Sequence, residues 1–333
     1  MKKPTKAQKR GGKPQSSRRL KKHYKVRNWK EYNEALVNRG RIEFWITDEA
    51  LRLWREQKKT GKRGKPQLYS NLAIETALLL REVFRLPLRQ VEGFLASILL
   101  KVGSMQKAPD YSTLSLRAET LPVIIRVRAV QSEALHIVVD STGAKVYGEG
   151  EWKVRQHGWS KHRTWKKVHL GIDETTGDIL LGDVTGNDTA DCEMLAPLLT
   201  QVPPETRIDQ VSADGAFDRR MCYEALRKRN VKHIAIPPQR GARIWQHGNT
   251  KEEKLPRDQN LRRIRTVGRT KWKEEIGYHR RSLAETTMFR LKTIFADKVR
   301  ARKEAVQRVE LLLRAKALNL MTTLGMPESY VVA

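Results

Sequence analysis

The sequence predicts an α/β protein in which a mixed sheet with flanking helices follows a small helical domain and a basic arm. Three observations predict it. Residues 70–121 have the apolar spacing of short helices, residues 135–236 alternate between strand and helix patterns, and residues 1–30 contain 13 Lys or Arg and no acid. Strands that alternate with helices are typical of a sheet with crossover connections. A chain of 333 residues is long enough for two or three domains with hydrophobic cores.

The composition indicates a polyanionic partner. The chain has 66 Lys and Arg against 37 Asp and Glu, a formal net charge of +29. Such a field favours nucleic acid first and an anionic membrane surface second. No apolar run approaches the roughly 18 residues that a membrane span needs, and no apolar leader segment follows the basic N-terminus, which excludes membrane and secretory classes. Cys192 and Cys222 lack zinc-site spacing and are expected to be small buried side chains in a reducing compartment.

Residues 1–66 are predicted to form a basic arm followed by a short mixed segment. The first twenty or so residues have too little apolar surface to offset the entropy of ordering, so we expect a mobile arm. It serves either to track DNA phosphates or to keep the protein soluble. Beyond it, residues 28–37 and 48–54 predict short helices, and residues 41–46 predict a strand because their apolar side chains alternate. Residues 58–65 predict a linker.

Residues 67–130 are predicted to form a helical domain. Ser70 or Asn71 can cap a helix that ends near residue 84, Pro87 precedes a second helix over 88–100, and Asp110 or Ser112 can cap a third that ends near residue 120. Three short helices in a basic chain resemble a helix-turn-helix DNA reader, whose third helix would bring Ser112 and Arg117 to the groove. The connection before that helix is longer than the roughly three or four residues that are usual for the turn of this motif. A purely structural three-helix bundle is the alternative.

The strand patterns lie in residues 131–333. Residues 135–139, 165–172 and 179–184 predict three strands in a meander, with a hairpin turn at Thr175-Thr176-Gly177. Helix, strand, helix and strand patterns follow, and the last helix is predicted over 303–324. This is the strand order of a ribonuclease-H-like core. Residues 239–277 are basic and lack sustained periodicity, which predicts an insertion or a long loop.

Two carboxylates are predicted at strand ends of this sheet. Asp140 and Asp214 each follow a short apolar run, with Gly143 and Gly215 close behind them. Ligands collect at the carboxyl ends of strands, so neighbouring strands would bring both carboxylates into one pocket. A divalent cation would relieve their repulsion, and oxygen ligands suit Mg²⁺ or Mn²⁺. The alternative for each residue alone is a turn-forming or capping role. Asp173 and Asp218 compete for the same role, although Asp218 is expected to cap the following helix.

A third carboxylate is predicted on a helix over residues 278–292. At about 100° per residue, Tyr278, Arg281, Glu285 and Lys292 fall within an arc of roughly 60°. If this helix packs beside the two strands, Glu285 completes a site for two metal ions about 3.5–4 Å apart, which is a site for phosphodiester chemistry. The alternative is an amphipathic helix whose charges are solvated.

Three segments together resemble a known enzyme family. Asp140-Ser-Thr-Gly, Ser212-Ala-Asp214-Gly-Ala-Phe-Asp218 and Tyr278-x2-Arg281-x3-Glu285-x6-Lys292 resemble the catalytic segments of bacterial insertion-sequence transposases of the DDE type. The pattern is most similar to the insertion sequence five family. The resemblance covers at least residues 134–324, and the helical block at 70–121 is similar to that family's N-terminal region. Residues 239–277 are too short for the large β insertion of wider relatives.

The resemblance implies a DNA strand transferase. Asp140, Asp214 and Glu285 would bind the metal, Mg²⁺ with Mn²⁺ able to substitute and two ions per site, while Tyr278, Arg281 and Lys292 would hold the DNA end. The partners would be double-stranded DNA, both the terminal inverted repeats of the element and the target. A homodimer or larger assembly is expected in the DNA complex, in the bacterial cytoplasm and on the nucleoid. A ribonuclease-H-like nuclease without strand transfer and a non-catalytic DNA-binding protein are the alternatives.

A further DNA-binding patch is predicted over residues 151–167, where aromatic and basic side chains alternate. Cationic groups there would reach phosphates, and aromatic rings would stack on unpaired bases. The expected contact residues are Trp152, Lys153, Arg155, Trp159, Lys161 and Arg163. The alternative is that the tryptophans belong to the core, which we expect for Trp165. His157, His162 and His169 lack a metal-site pattern and are expected to contact phosphates or to be polar groups of the core.

Overall fold

A six-stranded mixed sheet forms the centre of the fold in a computed structural model that describes residues 23–57, 66–126, 134–146, 165–246 and 254–332. The order is β4-β3-β2-β5-β6, and β7 pairs with the far end of β2. Strands β2, β3 and β4 are antiparallel, whereas β5 and β6 run parallel to β2. The predicted ribonuclease-H-like sheet is confirmed. The strands are β1 (His23–Val26), β2 (Leu135–Val146), β3 (Trp165–Asp173), β4 (Ile179–Thr185), β5 (Ile208–Ser212), β6 (His233–Ala235), β7 (Lys298–Val299) and β8 (Ser329–Val332).

Helices cover both faces of this sheet. Among the described helices, none is both long and apolar enough to cross a membrane. Three 3₁₀ turns, at Asp191–Met194, Gly215–Phe217 and Tyr278–Arg281, lie between the elements. The α-helices are α1 (Trp29–Asn38), α2 (Ile42–Trp45), α3 (Asp48–Arg52), α4 (Asn71–Val83), α5 (Leu88–Lys101), α6 (Tyr111–Arg117), α7 (Leu195–Thr200), α8 (Arg220–Lys228), α9 (Pro256–Val267), α10 (Arg269–Glu275), α11 (Ser282–Phe295) and α12 (Glu304–Leu324).

Odd-numbered and even-numbered residues of β2 pack into different buried clusters, because successive side chains of a strand point to opposite faces of the sheet. Ile137 and Val139 pack with apolar residues of α7 and α8. Val138 and Ala144 join the other cluster, which contains apolar residues of α4, α5, α11 and α12. Asp140 has the parity of Val138 and therefore lies on the α11 face.

The N-terminal helices follow the predicted signals. Ser70 accepts a hydrogen bond from the backbone of Ala73 at 3.1 Å and caps α4, and Asp110 caps α6 by accepting one from Thr113 at 2.8 Å. Such caps satisfy amide groups that the first helical turn leaves unpaired. Helix α4 packs against α12, and the two share one buried cluster. The division into domains at residues 66 and 130 stays a prediction, as does the DNA-reading role of the helical block.

The strand predicted over 41–46 is wrong, since Ile42–Trp45 form the short helix α2. Trp45 is buried and its indole donates to the carbonyl of Arg39 at 2.8 Å, while Phe44 packs beside it. The apolar side chains of this helical turn, Ile42, Phe44 and Trp45, all pack against the same buried cluster, and this produces an apolar pattern that resembles the alternation of a strand. No strand in the described residues pairs with this segment.

Strand β2 is longer than predicted, and Asp140 lies inside it rather than at its end. Its polar second half pairs with β3, from Asp140 opposite Leu170 to Lys145 opposite Trp165. Gly143 serves close packing here, because a Cβ at that position would lie 3.2 Å from the Trp165 ring. Asp-Ser-Thr-Gly is a composition typical of turns, so the sequence did not indicate that these residues continue the strand.

Residues 239–277 contain more regular structure than predicted. Helices α9 and α10 occupy much of this segment, so the long-loop alternative is wrong. Only a few apolar side chains anchor them, including Leu261 and Trp272, and most other positions are polar or basic. Apolar periodicity is correspondingly weak, which explains why the sequence pattern missed both helices.

Candidate active site

Asp140 lies within β2, and Asp214 lies two residues beyond the end of the neighbouring parallel strand β5. Val138 of β2 is the register partner of Ser212 of β5. Asp140 and Asp214 each come two residues further along, which places them on the same face by the period of two. Asp214 keeps an extended backbone, with φ −79° and ψ 178°. The expectation that the two strands are neighbours is confirmed.

Arg281 joins two of the three predicted carboxylates. It donates one hydrogen bond to Asp140 Oδ2 at 2.9 Å and a second, in a short ion pair, to Glu285. Helix α11 carries Glu285 in its first turn and packs against β2 through Ala284 and its other buried residues. The three acidic side chains thus gather on one face of the sheet, with a guanidinium between two of them.

The local field around Asp140 is rich in negative charge. Burial raises the pKa of Asp140 above its ordinary value, and the carboxylates of Asp214 and Glu285 raise it further. The hydrogen bond from the Ser141 amide, at 2.9 Å, and the Arg281 guanidinium act in the opposite direction. A group of this kind favours a bound cation, because each added positive charge stabilises the ionised carboxylates.

Asp214 also has a capping role. Its Oδ1 accepts a hydrogen bond from the Ala216 amide at 2.8 Å and caps the 3₁₀ turn Gly215–Phe217. Its second oxygen has no hydrogen bond among the described residues, and it remains available to a ligand. The capping alternative and the ligand role are therefore compatible for this residue.

The rival carboxylates are engaged elsewhere. Asp173 accepts from the Thr175 amide at 3.1 Å and the Thr176 hydroxyl at 2.9 Å, as expected of a turn residue. Asp218 was expected to cap the next helix, and this is wrong: Arg219 is the residue before α8, and no side chain caps that helix. The Asp218 carboxylate is instead buried against Arg257, with Nε 2.7 Å from Oδ1.

The donor chemistry of the site fits a divalent metal. Carboxylate oxygens are the hard ligands that Mg²⁺ and Mn²⁺ prefer. In the part of the chain that the structure describes, no three His, Cys, Asp or Glu side chains already stand close enough to hold an ion together. Arg281 supplies the neutralising cation in this arrangement. A metal would compete with it for Asp140 and Glu285.

Comparison with family models shows which family the chain belongs to. Residues 37–149 and residues 131–320 each match a family model described as a transposase DDE domain. The second match covers more than half of the chain. The chain belongs to the DDE transposase family. It is therefore an enzyme of the polynucleotidyl-transferase and nuclease class that acts on DNA, and transposases of this type use divalent metal ions. Membership of the insertion sequence five family stays a prediction.

The predicted helix over 278–292 begins differently in the transposase. Tyr278–Arg281 form a 3₁₀ turn, and the α-helix starts at Ser282. With three residues per turn instead of 3.6, Tyr278 and Arg281 still overlie one another, and the guanidinium lies 5.9 Å from the phenol ring. Gly277, at φ +69°, permits the sharp entry into this turn.

Tyr278 and Lys292 lie at either end of this surface. Burial raises the pKa of Tyr278 above its ordinary value, and the nearby carboxylates add to the rise, so the phenol keeps its proton as a hydrogen-bond donor. Trp272 packs 6.2 Å from its ring, and the Lys273 ammonium lies 4.8 Å from it. Lys292 is half-buried on α11, about two turns beyond Glu285. Phe289 lies between them and is 69% exposed.

Ser112 and Arg117, two further predicted DNA contacts, lie in the N-terminal helical block. Arg117 donates to the carbonyl of Tyr69 at 2.8 Å and to the side chain of Asn71, and Ser112 donates to Asp110, so both bind within the N-terminal helices. Their contact with DNA stays a prediction. The patch formed by Trp152, Lys153, Arg155, Trp159, Lys161 and Arg163, together with His157 and His162, lies outside the described residues, as do the N-terminal arm and the 58–65 linker. His169 is a buried core group.

Two ion pairs that support the site were missed from the sequence. Arg280 pairs with the buried Glu174 at 2.5 Å and holds the 3₁₀ turn against the β3–β4 hairpin. Arg257 of α9 holds Asp218, four residues beyond Asp214. Neither pair has a signal in the sequence, because each joins residues far apart in the chain whose partners depend on tertiary packing.

Proposed function

We propose that the transposase binds the ends of a mobile DNA element, cleaves them, and joins the freed 3′-hydroxyl ends to target DNA. The observation that carries the proposal is the register of β2 and β5. Asp140 and Asp214 each lie two residues beyond a registered pair, and Arg281 connects Asp140 to Glu285. The sequence resemblance assigns the same three residues to the metal site.

Asp140, Asp214 and Glu285 would hold the metal ions, two Mg²⁺ with Mn²⁺ as a substitute. When bound, such ions activate a water or a 3′-hydroxyl and stabilise the leaving oxygen of the phosphodiester. The exposed position of Glu285 leaves this carboxylate accessible from solvent. Burial of Asp140 on the sheet and the hydrogen bond from Ser141 fix the other side of the site.

Arg281 would change partners when DNA arrives. Its guanidinium contacts two carboxylates now, and the planar fork of arginine is equally suited to two oxygens of a phosphate. A metal at the carboxylates would release Arg281 to the DNA backbone, beside Tyr278 and Lys292. The helix that supplies Glu285 therefore also supplies the grip on the strand end.

The proposed partners are the terminal inverted repeats and target DNA, with a homodimer or larger assembly in the complex, because two ends are cut together. The helical block, with Ser112 and Arg117, and the patch at 151–167 would extend the DNA contact. A bacterial cytoplasmic location, with nucleoid association during DNA binding, follows from such partners.

The proposal is tested by incubating the protein with labelled DNA containing the element's ends, plasmid target and Mg²⁺. We expect both cut and joined products. Asp140→Ala, Asp214→Ala and Glu285→Gln should abolish both while DNA binding survives. Glu224→Gln, which removes an exposed carboxylate from α8, is the matched control and should be active. Cleavage without joining would establish the nuclease alternative, and full strand transfer by any of the three site variants would overturn the assignment.

A further inference from the structure

A cavity of about 420 Å³ opens beyond the carboxyl ends of β5 and β6, and its lining includes Asp218, which follows Asp214 by four residues in the chain. Arg219 and Arg220, at the start of α8, line one side, and Arg240 lines the other from the turn after β6. Trp245 and Arg257 form part of its wall. Neither the sequence patterns nor the family resemblance assigned a role to this cavity.

The cavity has an excess of positive charge. Asp218 is the only carboxylate among its described lining residues, and Arg257 neutralises it at 2.7 Å and 3.3 Å. The Gln239 amide, at 3.0 Å, and the Tyr223 hydroxyl, at 3.3 Å, also donate to that carboxylate. Arg219, Arg220 and Arg240 are exposed, and they form no ion pair with any residue in the described ranges. Three guanidinium groups therefore face the cavity without a counter-charge there.

The wall of the cavity is preorganised. The Arg257 guanidinium lies 3.8 Å from the centre of the Trp245 ring and that of Arg220 lies 5.4 Å from it, while Tyr223 meets the ring edge-on at 5.5 Å. The Trp245 amide donates to the buried Asp258 at 3.0 Å. With guanidinium groups already against the ring, the tryptophan supports the arginines rather than offering a platform for a base. This chemistry favours an anion.

The cavity and the proposed metal site share one edge of the sheet. Only the 3₁₀ turn Gly215–Phe217 separates Asp214 from Asp218. That turn lies next to the segment that follows β6, since a Cβ on Gly215 would be in ordinary van der Waals contact, at 3.5 Å, with the carbonyl oxygen of Pro237. A DNA strand that reaches Asp214 along this edge would pass the three arginines.

We propose that this cavity binds a backbone phosphate of the DNA strand that enters the carboxylate site. The inference rests on the proposed function for the presence of DNA at that edge. The planar guanidinium group of arginine can donate two parallel, charge-assisted hydrogen bonds to two oxygens of one phosphate. The interaction is independent of sequence, because it reads the backbone and no base edge. It fixes the strand beside Asp214 and thereby positions the phosphodiester.

The test compares the salt dependence of DNA binding for two double variants on one helix. Arg219→Ala/Arg220→Ala removes two charges from the cavity, and Arg227→Ala/Lys228→Ala removes two exposed charges from the far end of α8. The probe is a synthetic duplex of arbitrary sequence. The slope of log affinity against log salt should fall in magnitude by about 1 in the cavity variant, because the duplex loses one bound phosphate there. Equal slopes in the two variants would overturn the proposal.

A second pair of variants covers the case in which loss of Arg220 disturbs Trp245. Arg240→Ala removes one cavity charge from an exposed turn, and Arg243→Ala removes an exposed charge from the same loop, outside the cavity. Arg240→Ala should lower the slope by about 1 and Arg243→Ala should leave it close to wild type. If the slope of log affinity against log salt is the same for Arg240→Ala and Arg243→Ala, the cavity does not bind a DNA phosphate and the proposal is wrong.

Inorganic phosphate separates DNA binding from capture of a small anion. If phosphate raises the melting temperature of wild type but not of Arg219→Ala/Arg220→Ala, while the DNA slopes stay equal, the cavity binds free anions and the proposal is wrong. Failure here is distinguishable from failure of the proposed function. If the slopes are unchanged and strand transfer is normal, only the phosphate-binding role of the cavity is rejected. If strand transfer is absent, the salt slopes of the variants can still be compared, because they measure DNA binding alone.

Discussion

Replacement of Arg257 by methionine tests whether the Asp214 loop depends on a buried ion pair. The Arg257 and Asp218 side chains are 4% and 2% exposed. Arg257 donates to Asp218 Oδ1 at 2.7 Å and Oδ2 at 3.3 Å, and to the Arg243 carbonyl at 2.8 Å. Methionine fills most of the volume and removes all of these donors. Asp218 then keeps only the Gln239 amide and the Tyr223 hydroxyl.

The expected cost is large because a buried carboxylate loses its counter-charge. Removing one partner of a buried pair typically lowers the free energy of unfolding by about 3–5 kcal/mol. Arg263 of the same helix provides the matched control. Its pair with Glu275 is 51% and 34% exposed, so solvent screens the attraction between the two charges. Arg263→Met should therefore lower the free energy of unfolding far less than Arg257→Met does.

Urea denaturation followed by tryptophan fluorescence measures both variants. We expect Arg257→Met to lower the midpoint strongly and Arg263→Met to shift it slightly, with similar denaturant slopes. The double variant Asp218→Leu/Arg257→Met should recover part of the loss, since the uncompensated charge is gone while the Gln239 amide is left unpaired. If Arg257→Met costs no more than Arg263→Met, the ion pair does not hold this loop and the reasoning is refuted.

Three further predictions concern Arg281, His169 and Lys292. Arg281→Gln should bind Mn²⁺ more tightly than wild type in the absence of DNA, because the substitution removes the guanidinium group that pairs with Asp140 and Glu285. Electron paramagnetic resonance measures this binding. Weaker binding by the variant would show that Arg281 organises these two carboxylates rather than competing with the metal for them. Burial lowers the pKa of His169, so the unfolded chain binds the extra proton first, and stability should fall as the pH drops below about 6.5. His169→Gln should flatten that part of the stability profile, and an unchanged profile would contradict the assignment. Lys292→Ala should reduce the salt slope of binding to the element's end by about 1, whereas an unchanged slope would indicate that Lys292 faces solvent.

The sequence predicted the sheet well because its strands bury one or both faces. Apolar runs such as residues 135–139 have few alternatives to a central strand, and the crossover helices fix the parallel order of β2, β5 and β6. The adjacency of Asp140 and Asp214 followed from that order. The extent of β2 did not, since Asp140, Ser141 and Thr142 are as common in turns as in strands.

The parts that sequence reasoning missed depend on tertiary contacts. Asp218 has the sequence position of a helix cap, and only the approach of Arg257, thirty-nine residues later, explains its burial. Helices α9 and α10 have too few apolar residues to show a period. The 3₁₀ turn at Tyr278–Arg281 is held by Arg280 and Glu174, 106 residues apart. In the first and third of these cases a charged residue pairs with a partner far away in the chain, which a local sequence pattern does not indicate.

We propose that Asp214 is a ligand of the catalytic metal, together with Asp140 and Glu285. Cleavage of the element's end by Asp214→Cys, compared in Mg²⁺ and in Mn²⁺, tests it most directly. A thiolate is a poor ligand for Mg²⁺ and a better one for the softer Mn²⁺. We expect Asp214→Cys to be inactive in Mg²⁺ and to recover cleavage in Mn²⁺, relative to wild type in each ion. The same ratio of Mn²⁺ to Mg²⁺ activity in variant and wild type would contradict it.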